Sequence, residues 1–262
     1  MSASVFAKAL SDRWRLVAIV SAFLAAMNVL VMMLFGSLGE QYGELMEALP
    51  AEILAALGAG DLGTPVGWLN AEMFSFVIPI GVVAVGILVG VGAIAGEEDK
   101  NTLNMLLAAP VDRMQVAWSK VTAMVLLLAL VAAATFTSLV IGAAIGNVEI
   151  GADKLLAGSF MGLLFGIFFA SLAFGIGAGT GRSGLAAFVS AGVAVVAFVV
   201  HAFLPLVKGW EWVQKASPYY WYLGPNPLAN GVDVPSAALF AGLSAVFVLV
   251  GVLAFNRRDI GV

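Results

Sequence analysis

Six long runs of apolar residues, separated by polar segments, dominate the pattern of this chain. The runs cover 16–36, 73–95, 121–145, 155–178, 185–207 and 236–255, and none of them contains Asp, Glu, Lys or Arg. A helix needs about 20 apolar residues to cross a bilayer, and one central charge costs about 2.5–3.5 kcal/mol. We therefore expect an all-α membrane protein in which six transmembrane helices, spans 1 to 6, form one domain over 1–262.

The basic residues between the runs are distributed unevenly. If the N-terminus lies inside the cell, nine of the 12 Lys and Arg residues are inside, and only Lys154, Lys208 and Lys215 are outside. This bias predicts cytoplasmic N- and C-termini. It also predicts an inner segment at 96–120 and outer loops at 37–72, 146–154 and 208–235. All six Trp residues lie outside the runs, near their ends, as interfacial anchors do.

Composition excludes several classes of protein. Hydrophobic residues make up 62% of the chain and charged residues only 11%, against about 25% charged in soluble domains. There is no Cys, which excludes disulfides and thiolate metal sites, and the net charge of −4 does not suggest a nucleic-acid partner. No Lys follows a Gly, so the chain has no Walker A loop. We predict no catalytic residue, metal or bound cofactor in this chain. If ATP is the energy source, ATP and Mg²⁺ must bind a partner.

Three patterns resemble functional sites, and for each a structural explanation is favoured. Gly179 to Gly184 fits GxGxxG, but that motif requires a preceding strand, and here an apolar helix precedes it. Ser183 and His201 cannot form a protease pair, because eighteen residues of one helix separate them by roughly 27 Å. His201 is expected to be a hydrogen-bonded structural residue rather than a proton relay. Arg182, in the short inner loop, is predicted to make an auxiliary cytoplasmic contact.

Small residues recur at intervals of four in two spans. Span 4 carries Gly158, Gly162, Gly166 and Ala170, and span 2 carries Gly86 and Gly90. Small residues at this spacing line one helical face and allow a second helix to approach closely. Packing within one subunit is the favoured interpretation, and a contact between subunits is the alternative.

Two outer loops have recognisable patterns. In the first, Pro50 to Leu57 is predicted to be a short helix, with Gly58 just past its end. The last outer loop is rich in aromatic residues and Pro, and contains Ser217-Pro218-Tyr219-Tyr220. Either this loop dips partly into the membrane, or it is an interfacial aromatic anchor with no role in transport.

The inner segment between spans 2 and 3 predicts a short amphipathic helix. Leu103, Leu106 and Leu107 share one face, and Pro110 ends the helix. The acidic residues Glu97, Glu98 and Asp99 stand at its N-terminal end, where the helix dipole favours negative charge. Asp112 then resembles the N-cap of the helix that enters span 3, with Gln115 three residues later. An ordinary surface helix is the alternative.

This inner segment resembles the corresponding segment of ABC-2-type permeases. The matching residues are Glu97, Glu98, Thr102, Leu103, Leu106, Leu107, Pro110, Arg113 and Lys120, and Asn101 stands where Gly is usual. Asn tolerates left-handed backbone conformations better than most residues. Ser217-Pro218-Tyr219-Tyr220 and Arg257-Arg258-Asp259 also resemble the family's last outer loop and C-terminal end.

The resemblance implies a six-span permease subunit of an ATP-driven exporter in the cell membrane. Such subunits form homodimers or heterodimers and rest on ABC ATP-binding subunits through the segment between spans 2 and 3. The coupling residues would then be Glu97, Glu98, Asp99, Asn101, Thr102, Leu103, Leu106, Leu107 and Arg113. Spans without charge favour an amphiphilic substrate such as a drug, antibiotic, peptide or lipid. A non-ABC channel, a secondary transporter and a membrane scaffold are the alternatives, although secondary transporters usually carry charged or broken helices at mid-membrane.

Overall fold

The computed structural model describes residues 3–47, 63–100, 102–103, 112–210 and 212–258. Six helices in these ranges are long and apolar enough to cross a membrane. They cover Ser4–Leu38, Pro65–Ala93, Arg113–Ile145, Ala152–Thr180, Ser183–Leu206 and Val234–Arg257. No strand occurs in the same ranges. The prediction of an all-α bundle with six membrane-spanning helices is therefore confirmed, and these helices are spans 1 to 6 in order.

Most of the helices extend beyond their apolar runs. Span 1 belongs to a helix that covers Ala3–Glu47, and span 3 covers Arg113–Ile145. Span 4 covers Ala152–Thr180 and span 6 covers Val234–Arg257. Span 5 covers Ser183–Phe203 and is followed by a 3₁₀ turn at Leu204–Leu206. The predicted helix at 50–57 lies outside the described residues.

Span 2 is not a uniform α-helix. An α-helical turn at Pro65–Leu69 is followed by a π-helix at Asn70–Val77 and an α-helix at Ile78–Ala93. The second residue of that last helix is Pro79, which has no N–H to donate to the carbonyl of Ser75 four residues earlier. Segments of π-helix are rare and frequently occur at functional sites. The apolar run predicted a start at residue 73 and did not predict this change of helical type.

Span 4 lies at the centre of the bundle. It packs against spans 2 and 6, and its Phe165, Phe169 and Phe174 are completely buried. Span 1 packs mainly on span 3, where Asn28 Nδ2 donates a 2.8 Å hydrogen bond to Ser138 Oγ. Span 5 is the least covered span, since 11% of its most apolar stretch is buried, against 61% in span 4.

The small residues of spans 2 and 4 lie at the contact between these two helices. A Cβ atom added to Gly86 would lie 2.6 Å from the carbonyl oxygen of Gly166, and one added to Gly90 would overlap the carbonyl of Ala170. Along span 4, a Cβ on Gly158 would clash with the ring of Phe74, whereas one on Gly162 would have no neighbour closer than 3.8 Å. The structure thus uses this face for helix packing within a single chain. Of these positions, Gly162 is the one with space for an added Cβ atom.

Short helices connect the spans at both ends of the bundle. Helix Ala95–Asp99, called here the acidic helix, follows span 2. Between spans 5 and 6 lie a 3₁₀ turn at Val213–Ala216, the helix Pro218–Leu223, called here the tyrosine helix, and a helical turn at Pro227–Asn230. Asp112 occupies the N-cap position of span 3 with extended backbone, as predicted, but its side chain forms no capping hydrogen bond.

Candidate functional site

The acidic helix begins at a break in the backbone. Span 2 ends at Ala93, and Ile94 has φ −123° and ψ −63°, outside the α-helical region. The N–H groups of Glu97 and Glu98 both donate to the carbonyl of Ile94 at 3.0 Å. This break lets a new helix start immediately after the span, with two carboxylates in its first turn, where the helix dipole favours them.

Glu97 forms a buried ion pair with Lys120 in span 3. The side chains are only 9% and 3% exposed respectively. Thr102 Oγ1 also donates to the main-chain carbonyl of Glu97 at 3.1 Å. Because both charges have left water, the pair depends on each partner remaining in place, and removal of either leaves an uncompensated buried charge.

Glu98 forms the second ion pair, with Arg258 at the end of span 6. This pair is less buried, at 28% and 18% side-chain exposure. Arg113 Nη1 in turn donates a 2.9 Å hydrogen bond to the main-chain carbonyl of Arg258. The first residue of span 3 and the last turn of span 6 are therefore connected at the acidic helix.

Asp99 accepts a hydrogen bond from Ser183 Oγ, at the start of span 5. The preceding residues close the turn after span 4. Gly181 has φ +70°, a left-handed conformation that favours glycine, and a Cβ there would overlap the guanidinium of Arg258. Three consecutive carboxylates of the acidic helix thus contact three different spans, namely 3, 6 and 5.

The predicted coupling residues divide into two groups. Glu97, Glu98, Asp99, Thr102 and Arg113 meet in this network, and Leu103 is 1% exposed within the core. Asn101, Leu106 and Leu107 lie outside the described residues. Arg182 is exposed beside Ser183, and its described hydrogen bonds are made by its main chain, since its N–H donates to Thr180 Oγ1 and its carbonyl accepts from the N–H of Ala186. Its predicted contact with a partner stays a prediction.

Sequence reasoning missed three members of this network. Ser183 was weighed only as a protease nucleophile, and Lys120 and Arg258 were named only as part of a family resemblance. The local pattern gives no sign that Ser183 and Arg258 reach residues 84 and 160 positions away. The usable signal for Arg258 was that it directly follows an uncharged span, because a charged residue at the end of a span is expected to have a side-chain partner.

The tyrosine helix is anchored to spans 5 and 2. Ser217 Oγ accepts from the N–H of Tyr219 at 3.1 Å and donates to the carbonyl of Ala197 in span 5 at 2.7 Å. The hydroxyl of Tyr219 donates to the carbonyl of Ser75 in the π-helix at 2.6 Å. Burial raises the pKa of Tyr219, so this phenol stays protonated and remains a donor. Burial also raises the pKa of Tyr222, with the neighbouring Tyr219 as a smaller cause.

The rings of the tyrosine helix enter the core of the bundle. Tyr222 stacks on Phe165 at a centroid distance of 5.0 Å and an interplanar angle of 14°, and Tyr219 meets the same ring edge to face at 5.4 Å. Ser217 caps the start of the helix, Pro218 is its first residue, and Tyr220 is half-buried. The loop therefore folds back against span 4 rather than lying only at the surface of the bundle.

For His201, the expected hydrogen bonding is contradicted at Nδ1, whereas its structural role rather than a proton-relay role stays a prediction. Its ring stacks on Tyr219, with centroids 5.5 Å apart and 28° between the planes, and it tilts against Tyr220. Its Nδ1 is buried and has no hydrogen-bond partner in the part of the chain that the structure describes. Aromatic stacking, not hydrogen bonding, holds this side chain.

An apolar cavity of about 240 Å³ lies beside the tyrosine helix, between spans 2 and 5. Its walls include Phe76 and Pro79 of span 2, Val195 and Phe198 of span 5, and Tyr219. Phe76 and Phe198 meet edge to face at 5.4 Å. The cavity can hold a hydrophobic group but offers few polar partners.

Comparison with known families gives a match over nearly the whole chain. The model of the family described as "ABC-2 family transporter protein" matches residues 6–260. No curated protein matches the chain.

Proposed function

The chain belongs to the ABC-2 family of transporter proteins, as a membrane-spanning permease with several passes through the cell membrane, and we propose that it is one subunit of an ATP-driven exporter. The proposal includes a separate ABC subunit that binds ATP and Mg²⁺, a dimer of permease subunits, and an amphiphilic substrate. The positive-inside bias supports placing the acidic helix on the cytoplasmic side.

The observation that carries the proposal is the junction formed by the acidic helix. This helix follows span 2 directly after the break at Ile94, and Glu97, Glu98 and Asp99 link it by ion pairs and a hydrogen bond to spans 3, 6 and 5. A force applied to it is transmitted to four spans at once. An energy-coupling element needs this property, because closure of an ATPase outside the membrane must become a rearrangement of helices inside it.

The apolar cavity supports an amphiphilic substrate. Its wall combines aromatic rings with the π-helical part of span 2, and none of the residues that line it carries a charge. A bare ion gains nothing from such a surface, whereas each buried methylene of an amphiphile contributes about 0.8 kcal/mol. We propose that this cavity lies on the substrate pathway.

The uncovered face of span 5 supports a dimer. Phe188 is 79% exposed, and Val195 and Val196 are each 62% exposed. The chain has no Cys, so single-Cys variants need no altered background. We expect Val196→Cys to form a disulfide between two copies in native membranes, and Ala173→Cys, which is buried in span 4, to form none. If no position on the face of span 5 cross-links, the dimer does not use this face.

Glu98→Lys tests the coupling assignment. In vesicles that contain the chain and its copurified ATP-binding subunit, we expect this variant to lose most ATP-driven export and most substrate-stimulated ATP hydrolysis. Expression and insertion should be retained, since Glu98 lies outside every span. Glu149→Lys is the matched control, because Glu149 is exposed in the short loop between spans 3 and 4. Unchanged export by Glu98→Lys would contradict the coupling role.

The reversed pair sharpens this test. In Glu98→Lys/Arg258→Glu the two charges exchange places, so the link between the acidic helix and span 6 can form again. We expect the double variant to recover part of the export that either single variant loses. If the double variant is as defective as the two single variants combined, Glu98 acts through something other than this ion pair.

A further inference from the structure

A second cavity lies at the end of the bundle that contains the acidic helix, and it differs in chemistry from the apolar one. Its volume is about 330 Å³, within the usual range of small-ligand sites, about 300–1,000 Å³. It lies between the N-terminal part of the span 1 helix, the end of span 2, the acidic helix and the first turns of span 3. We call it the basic cavity, after the four cations that line it, Lys8, Arg13, Lys100 and Lys120.

The charges of the basic cavity do not balance. Besides the four cations, two carboxylates line it, those of Asp12 and Glu97. Lys120 is already paired with Glu97. Lys8, Arg13 and Lys100 have neither an ion pair nor a hydrogen bond from their side chains within the described residues. The cavity therefore has an excess of positive charge and attracts an anion.

Arg13 is held in place by the shape of span 2. A Cβ atom on Gly92 would overlap its guanidinium, and one on Gly96 would lie 3.9 Å from Nη2. The absence of a side chain at Gly92 leaves a notch in span 2 into which the guanidinium fits, whereas a Cβ at Gly96 in the acidic helix would only be in ordinary contact with it. A guanidinium presents several N–H donors in a geometry that matches phosphate oxygens.

The depth of the cavity points to a lipid rather than a free anion. Beyond the cations, the wall is formed by Val89 of span 2 and by Met124 and Leu127 of span 3. Trp14 and Trp118 are both well exposed and lie close in sequence to Arg13 and Lys120. Trp residues concentrate at the headgroup level of a bilayer. A cavity at the headgroup level with basic residues at its rim and apolar residues at its floor fits the phosphate of a lipid together with the start of its acyl chains.

We propose that the basic cavity binds the headgroup phosphate of an anionic phospholipid from the leaflet that it faces. Basic pockets between membrane helices bind such headgroups through the same charge and depth. Phosphatidylglycerol is the most suitable probe, because its headgroup carries the negative charge of the phosphate without a compensating cation.

The test measures lipid binding to the purified full chain in a neutral detergent. The probe is a fluorescent short-chain phosphatidylglycerol, displaced by unlabelled phosphatidylglycerol, phosphatidylcholine or inorganic phosphate. We expect phosphatidylglycerol to compete at least tenfold better than phosphatidylcholine. Competition by inorganic phosphate at the same concentrations would show a free-phosphate site and overturn the lipid assignment, as would equal competition by phosphatidylcholine.

Two variants locate the binding. Lys8→Gln/Arg13→Gln should weaken phosphatidylglycerol binding about 30-fold, because each cation near the membrane surface contributes about fivefold. Gly92→Ala should also weaken it, since the added methyl group displaces the guanidinium without changing any charge. The controls are Lys208→Gln/Lys215→Gln in the last loop and Gly242→Ala, where an added Cβ meets nothing within 4 Å. Unchanged binding in both test variants, or equal losses in the controls, would show that the cavity is not the site.

Discussion

The hydroxyl of Tyr219 donates a 2.6 Å hydrogen bond to the main-chain carbonyl of Ser75, a carbonyl that would receive its α-helical bond from residue 79. Pro79 cannot donate that bond, because its nitrogen carries no hydrogen. The tyrosine helix thus satisfies a carbonyl that span 2 leaves without its α-helical donor. The contact joins the loop between spans 5 and 6 to the only π-helical segment among the described residues.

Tyr219→Phe is expected to destabilise the bundle by about 0.5–1.5 kcal/mol, the usual net contribution of one hydrogen bond, because the bond to the half-buried Ser75 carbonyl is lost. Tyr220→Phe is the matched control, because no hydrogen bond of the Tyr220 hydroxyl occurs within the described residues. Thermal unfolding of both variants in detergent measures the difference. In a Pro79→Ala background, where residue 79 regains its N–H, the cost of Tyr219→Phe should fall. If the cost is the same in both backgrounds, the account of this hydrogen bond is wrong.

The sequence was sufficient to predict the number and order of the spans, since uncharged runs of about 20 residues have few other uses. It also predicted the position of the carboxylates of the acidic helix, because charged residues that directly follow an uncharged run are easily recognised in a sequence. It did not predict the partners of Glu98 or Asp99, which lie 160 and 84 positions away, because no local pattern encodes such contacts. Pro79 was a visible signal for a change in span 2, but its consequence depends on a tyrosine from a distant loop.

Gly86→Ala is expected to destabilise the contact between spans 2 and 4 by about 1–3 kcal/mol, the typical cost of overpacking. The new Cβ would lie 2.6 Å from the Gly166 carbonyl, which is main chain and cannot move aside without moving span 4. Gly162→Ala adds the same methyl group on the facing helix, where the nearest atom is 3.8 Å away, and should be tolerated. Unfolding in detergent compares the two. Equal stability of the two variants would contradict the described packing.

The orientation of the bundle stays a prediction and is open to direct measurement. Arg182→Cys and Trp212→Cys place single thiols at two exposed positions, one beyond each end of span 5. If the termini are cytoplasmic, an impermeant thiol reagent should label position 212 in intact cells and position 182 only after the membrane is permeabilised. Labelling in the reverse order would place the acidic helix outside and remove the basis for its contact with an ATPase.

The buried pair of Glu97 and Lys120 gives the largest expected change in stability. Lys120→Met leaves the Glu97 carboxylate buried without its cation, which costs about 3–5 kcal/mol. Glu97→Gln/Lys120→Met removes both charges and should recover most of that loss, because a neutral pair of similar size carries no uncompensated charge. Lys154→Met is the control, since Lys154 is half-buried and its side chain forms no ion pair among the described residues, only a hydrogen bond to the carbonyl of Ala229.

Export separates the structural role of this pair from its role in coupling. If the pair only stabilises the fold, the neutral double variant should transport as well as the wild-type chain once its stability is restored. If the ion pair transmits movement between spans 2 and 3, the double variant should fold normally, assemble with the ATP-binding subunit and still export poorly. Unfolding, copurification and vesicle export, measured on the same preparations, distinguish these two results. A Lys120→Met variant as stable as the wild-type chain would instead show that the carboxylate of Glu97 does not depend on this cation.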